Sequence, residues 1–221
     1  MNILIVGANG GIGREVIQKL KESKKYNPIA GVRNQEQVEQ FEKEGVPARV
    51  VDIRKTVTQI AQQLDHVDAI VFTAGGGSSM LVDFDGKVKT AKAAEQVGIK
   101  RFVLISAGGI HHFHDDSRLE WMNDYEEYSA AMYYSDMWVE HSTLDYTIIR
   151  PGHLTSETGT GYVRVGEYLP HENISRKDVA EVVITVLDND QTVGQAFDVI
   201  NGNSPIRETI NQLKAGTNQI I

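Results

Sequence analysis

Three groups of residues in this chain have types and spacings suited to chemistry. The densest is a glycine run. Gly7, Gly10 and Gly13 recur every third position, with Asn9, Gly11 and Ile12 between them and Arg14 behind. Glycines spaced this way let the backbone turn tightly and approach an anion with no Cβ in the way. The second group carries hydroxyls: Ser106, and Tyr133 with Tyr134 beside it. A serine hydroxyl hydrogen-bonds a carbonyl, and a phenol can deliver a proton. The third is His111-His112-Phe113-His114-Asp115-Asp116. Imidazoles and carboxylates are metal ligands, but neighbours on one loop rarely converge on one ion, and no second cluster completes a shell. No metal site is expected. The run reads as a substrate-side loop in which a single histidine could donate a proton.

These residues need elements to hold them. Ile3 to Val6 is a continuous apolar run, as in a strand buried on both faces. The glycines follow, and then a helical segment from Arg14 to about Lys24. Strand, glycine turn and helix together form a cradle for a pyrophosphate, with unpaired N–H groups and a positive dipole end facing the anion. The plain alternative is a structural turn. Pro28 to Val32 reads as a second strand, ending at Arg33, twenty positions past Gly13. An acid at that place binds a free ribose 2′-hydroxyl, whereas an arginine suits a 2′-phosphate. Arg33, with Arg14 assisting, therefore favours NADP(H) over NAD, unless it is simply a solvated arginine.

Gln35 to Glu44 forms a polar helix closed by Gly45. Ala48 to Val51 is a third strand ending at Asp52-Ile53, which either flank an adenine or, for Asp52, cap the next helix. Val67 to Thr73 is a fourth strand, leading into Ala74-Gly75-Gly76-Gly77-Ser78-Ser79. Ala74 and Gly75 are expected to pass close to the cofactor; the alternative is a flexible loop. Asp83 to Val97 is an amphipathic helix, and Arg101 to Ile105 a fifth strand with Ser106 at its carboxyl end. Open α/β sheets bind ligands at that edge. A long helical pattern, Arg118 to Ser142, precedes a sixth strand, Tyr146 to Arg150, and then Pro151-Gly152-His153-Leu154. A short strand is expected at Tyr162 to Val165. Ser175 caps a helix from Arg176 to Leu187 with Asp178 in its first turn. Ala196 to Ile200 is a seventh strand, and a helix near Ile206 to Leu213 follows.

The length, 221 residues, suits one α/β domain, with the part from about 151 onward on the substrate side. A net charge of −8 and the lack of a Lys/Arg-rich run disfavour nucleic acid. The absence of cysteine excludes disulfides, thiolate metal sites and cysteine catalysis, and fits a reducing compartment. No apolar run approaches a membrane span, and the N-terminal stretch is too structured for a signal peptide. The expectation is a cytoplasmic monomer or homodimer that meets a small-molecule acceptor, not nucleic acid or membrane.

In order, the opening strand and glycine turn, Arg33, Asp52-Ile53, Ala74-Gly75, Ser106, Ile149-Arg150-Pro151-Gly152 and Ile174-Ser175-Arg176-Lys177-Asp178-Val179-Ala180 resemble the atypical short-chain dehydrogenase/reductases. The resemblance is to the small NAD(P)H-binding, NmrA-like group that includes biliverdin reductase B-type proteins, and it covers nearly the whole chain. It implies a Rossmann fold, a doubly wound parallel α/β sheet of six or seven strands. NADP would lie across its carboxyl edge, with Pro151 to Leu154 near the nicotinamide. The resemblance breaks at the chemistry. Typical members of the superfamily use Tyr-x-x-x-Lys, whose lysine helps the tyrosine pass a proton. Here Tyr133 is followed at that spacing by Met137 and Tyr134 by Trp138, and no lysine lies between Lys100 and Lys177. Two functions stay open: a reductase of a quinone, flavin or aldehyde, using Ser106 and Tyr133, or an NADP-binding redox sensor without turnover. Epimerase or dehydratase chemistry on a nucleotide sugar is a third, but it usually needs the Tyr/Lys pair and a larger C-terminal region.

Overall fold

The strand-helix alternation folds into one doubly wound sheet in the computed structural model, which describes residues 1–77 and 79–213. Ser78, in the glycine loop, and residues 214–221 lie outside the described residues. The first half supplies β1 (Asn2–Val6), α1 (Gly11–Glu22), β2 (Asn27–Val32), α2 (Gln35–Lys43), β3 (Ala48–Val50), α3 (Val57–Ala61), β4 (Ala69–Phe72), α4 (Asp85–Val97) and β5 (Arg101–Ile105). The second half supplies α5 (Trp121–Asp124), α6 (Glu126–Glu140), β6 (Asp145–Pro151), β7 (His153–Thr155), β8 (Tyr162–Gly166), β9 (Asn173–Ser175), α7 (Arg176–Leu187), β10 (Gln195–Asn201), β11 (Ser204–Pro205) and α8 (Ile206–Asn211).

The main sheet runs β11-β8-β10-β6-β5-β4-β1-β2-β3. From β10 to β3 every pairing is parallel, as expected from the apolar runs. The order reverses between β1 and β4, the switch point where such sheets open a ligand crevice. Side chains alternate across the strands. Ile3 and Ile5 join the core beneath α1, α2 and α7, and Leu4 and Val6 the core beneath α3, α4 and α6.

The sheet has nine strands rather than six or seven, because β8 and β11 add an antiparallel margin. β7 and β9 form a separate two-stranded parallel sheet. Strands of two or three residues carry too little alternation to be read from sequence. The helical pattern from Arg118 to Ser142 is broken, because Tyr125 takes a non-helical conformation (φ −131°, ψ 49°) between α5 and α6. The helix expected from Asp83 begins as a π-helical turn, Met80–Phe84. Within it the buried Asp83 carboxylate accepts the N–H groups of Gly76 and Ser79, each at 2.8 Å. The glycine loop is thus anchored to the start of α4. Ser175 caps α7 as expected, and Asp178 also binds the Thr160 and Gly161 amides at 2.8 Å.

Candidate functional site

The floor of the crevice is the turn after β1. Gly7 has φ +85°, which an L side chain resists, and a Cβ there would lie 2.6 Å from the Ala74 backbone. A Cβ on Gly13 would sit 2.5 Å from the Gly7 carbonyl oxygen. Both glycines let α1 close onto β1 and β4. No side chain caps α1, so its first-turn N–H groups, from Gly11, Ile12 and Gly13, are left for an anion. The Ile12 side chain lies in the core, so only its main chain can serve there. Arg14 has another occupation. It binds Asn9 Oδ1 at 2.7 and 3.1 Å, pairs with Glu44 at 3.4 Å and lies over the Phe41 ring. It holds Asn9 in place.

From this turn a cleft of about 470 Å³ runs over the ends of β1, β2 and β4. Of the residues singled out in the sequence, Gly7, Asn9, Gly10, Arg33, Asp52, Ile53, Ala74 and Gly75 line it. Gln37, Arg54 and Thr73 also line it and were not anticipated. Arg54 adds a second cation near Arg33 and pairs with Asp52 at 3.4 Å. Asp52 does not cap the following helix: Thr56 does, in a reciprocal box with Gln59. Arg176 was also missed as a site residue. It reaches from the start of α7 so close to α1 that a Cβ on Gly11 would lie 2.6 Å from its Cδ. A guanidinium thus stands beside the uncapped helix end. These features fit a dinucleotide: an open helix terminus, a floor free of Cβ atoms, and cations where phosphates would lie.

Ser106, Tyr133 and Pro151 to Leu154 are not among the residues lining this cleft. Pro151 and Gly152 are held by the sheet. The Pro151 carbonyl accepts the Gly108 N–H, the Gly152 N–H donates to Val199, and a Cβ on Gly152 would collide with the Glu172 carbonyl oxygen. His153 is exposed, its N–H donating to Glu172, and Leu154 packs on the core. Tyr133 meets the edge of the His114 ring at 4.7 Å and tilts against Phe113. It makes no hydrogen bond to Ser106, whose hydroxyl is buried and unpartnered.

Ser106 follows the register of β5 and β6, which places it beside Arg150, and Arg150 stands opposite Asp198 on β10. All three share the α6 face of the sheet. Arg150 binds Asp136 at 2.9 Å and Glu140 at 2.8 Å from α6. Asp198, 1% exposed, accepts the Gly109 N–H at 3.0 Å, and its other oxygen lies 3.7 Å from His111 Nδ1. Ser106 Oγ, Asp136 Oδ1, Asp198 Oδ1 and both His111 ring nitrogens have no hydrogen-bond partner among the described residues. Buried atoms of this kind are normally met by ordered water or a ligand.

Burial pushes Asp198 up to about 7, against the Gly109 N–H and Arg150. Burial, with Arg150 adding, pushes His111 down to about 3. His111 is therefore neutral near pH 7 and cannot act as a cationic acid. His112 pairs with Asp115 at 2.6 Å and stacks on Tyr168. A carboxyl raised in the folded state stabilises fully below its unfolded pKa of about 3.9, and that stability is lost as pH rises through the folded value. The Asp198 contribution should therefore fade between about pH 4 and 7, by up to about 4 kcal/mol. Asp198→Asn, which keeps an acceptor for Gly109, should flatten this decline in thermal unfolding measured across that range. Equal pH slopes in variant and wild type would refute the assignment.

A sheet wound in this order, with an uncapped glycine turn beside the switch point, defines a dinucleotide-binding Rossmann protein. The family described as NAD(P)H-binding matches residues 7–190, and the chain belongs to it, within the atypical short-chain dehydrogenase/reductases. Over 219 residues it is 38% identical to the uncharacterized sugar epimerase YhfK of Bacillus subtilis, an alignment spanning 96% of this chain and 100% of that one. It is 36% identical over 229 residues to the UPF0659 protein YMR090W of Saccharomyces cerevisiae, spanning 96% and 99%. The crystal structure of the oxidoreductase ylbE from Lactococcus lactis superposes with a TM-score of 0.88 at 32% identity, covering 96% of each chain. Among the described residues no helix is long and apolar enough to cross a membrane.

Proposed function

We propose that the protein is an NADPH-dependent oxidoreductase that reduces a small conjugated or carbonyl acceptor such as a quinone, flavin or aldehyde. The observation that carries this reading is the Ser106 hydroxyl, buried without a partner at the ligand edge of a nucleotide-binding sheet. A hydroxyl left unsatisfied there is available to the oxygen of an acceptor. The name of ylbE, an oxidoreductase, agrees with it.

In this reading the main chain of Gly7, Gly10 and Gly11 to Gly13 holds the diphosphate, with Arg176 neutralising it from α7. Arg33 and Arg54 hold the 2′-phosphate. Asp52 and Ile53 flank the adenosine, and Ala74 and Gly75 let backbone approach the ribose. The chemistry supplied there by the bound nucleotide is hydride transfer. Ser106 orients the acceptor, and the loop from Ala107 to Asp116 covers it. We place the reaction in the cytoplasm, where a chain without cysteine is at home.

The test is NADPH consumption against a panel of quinones, flavins and aldehydes. Turnover is expected with at least one, and Ser106→Ala should lower kcat/KM by about tenfold or more. Tight NADPH binding with no turnover on any acceptor would replace the reductase with a redox sensor.

A further inference from the structure

Arg14 stands in the first turn of α1, but every nitrogen of its guanidinium is engaged elsewhere. Nε and Nη2 both donate to Asn9 Oδ1, at 3.1 and 2.7 Å. Nη1 meets both carboxylate oxygens of Glu44 at 3.4 Å. The flat face of the group lies 4.7 Å from the centre of the Phe41 ring. Phe41 is 1% exposed, so that face has a fixed seat. The other end of the network is the cleft: Asn9 lines it and Arg14 does not. Arg14 is thus held off the site, with one edge on a residue that belongs to it.

A guanidinium has donors only, so the oxygen of the Asn9 amide must be the atom that faces it. That fixes the other half of the amide. Nδ2, with its two N–H groups, is turned off Arg14 and makes no hydrogen bond among the described residues. An asparagine free to turn would present an anion with its oxygen as readily as its nitrogen, and the oxygen repels it. On the same turn the Gly7 and Ala8 N–H groups donate to Gly31, two residues before Arg33, and Arg33 lines the cleft with Asn9. We propose that Arg14 is a positioning residue: by fixing the oxygen of Asn9, it presents the amide N–H groups of Asn9 to a phosphate oxygen of the bound nucleotide.

This inference rests on the nucleotide reading of the cleft, and it needs no contact between Arg14 and the nucleotide. An amide N–H can serve either phosphate group: the diphosphate at the start of α1, or the 2′-phosphate proposed for Arg33. NADH, which lacks the 2′-phosphate, separates the two. The rival account is an arginine whose charge acts on phosphate directly. On that account its effect would survive the removal of Asn9. An arginine that acts through Asn9 has nothing left to contribute once Asn9 is gone.

The experiment is calorimetric titration of wild type, Asn9→Ala, Arg14→Met and the double variant with NADPH and NADH, thermal unfolding confirming that each is folded. Asn9→Ala should weaken NADPH binding about tenfold, the worth of a hydrogen bond to a charged group. Arg14→Met should weaken it about threefold or more, and the double variant should bind as Asn9→Ala does. A loss shared by NADH assigns the diphosphate, and a loss confined to NADPH assigns the 2′-phosphate. Asn9→Asp has the same shape and still pairs with Arg14, so a merely structural asparagine would tolerate it. It should instead bind more weakly than Asn9→Ala, because an acceptor now stands where the donor was. The Asn9 side-chain amide signal in NMR, assigned with Asn9→Ala, should shift on addition of NADPH, and shift less in Arg14→Met. Wild-type affinity in Asn9→Ala or in Arg14→Met, or losses that multiply in the double variant, overturns the proposal. If wild type binds neither nucleotide, the reading of the cleft fails and the proposal with it; if it binds them and the variants bind as tightly, the proposal alone falls.

Discussion

Arg150→Ala is expected to bring the chain close to unfolding at room temperature. Arg150 and Asp136 have side chains only 6% and 3% exposed, and their ion pair joins β6 to α6. Glu140 takes the other arm of the guanidinium. Removing one partner of a buried pair leaves a desolvated charge behind and costs about 3–5 kcal/mol. That is a large share of the roughly 5–15 kcal/mol that holds a domain together. The loss should be worse here because Asp198, opposite Arg150 in the sheet, also depends on its charge. Urea unfolding measures it. Arg150→Met with Asp136→Leu, which removes both charges, should be less damaging than Arg150→Ala. A loss below about 1 kcal/mol in Arg150→Ala would show that the pair is not a structural tie.

Arg33→Ala is expected to abolish the preference for NADPH. Arg33 lies at the end of β2 on the wall of the cleft, exposed, and among the described residues no acid lies within ion-pair distance of it. Arg54 is less free, since Asp52 already takes part of its charge. Calorimetric titration should show wild type binding NADPH more tightly than NADH. In Arg33→Ala the NADPH affinity should fall about 10- to 100-fold, the worth of a charge-assisted phosphate contact, with NADH nearly unchanged. Arg54→Ala should have a smaller effect. Equal affinity of wild type for the two nucleotides would remove the case for NADP.

What the sequence made legible was local. The glycine turn behind β1 was readable because a buried strand, a Cβ-free turn and a helix start are adjacent in the chain. The bounds of β5 and α7 were expected as they occur, from an apolar run in one case and a serine cap in the other. What stayed hidden depends on distant chain segments meeting. Arg14 stands where a phosphate ligand would, yet Glu44 and Phe41 take its side chain instead. Arg176 reaches Gly11 only because α7 packs beside α1. Four places beyond Tyr133 and Tyr134 stand Met137 and Trp138, not lysine. The fold brings a lysine to α6 from α4, a route no spacing rule describes.

The lean of Arg176 on Gly11 also has a bearing on how the protein is made. Synthesis delivers the amino-terminal end first, so the turn and α1 leave the ribosome well before α7 exists. On the proposed reading, a partly made chain owns the floor of the anion cradle but not the arginine beside it. On that reading the cradle is complete only once translation has passed α7, and the full stabilisation by bound nucleotide comes no earlier.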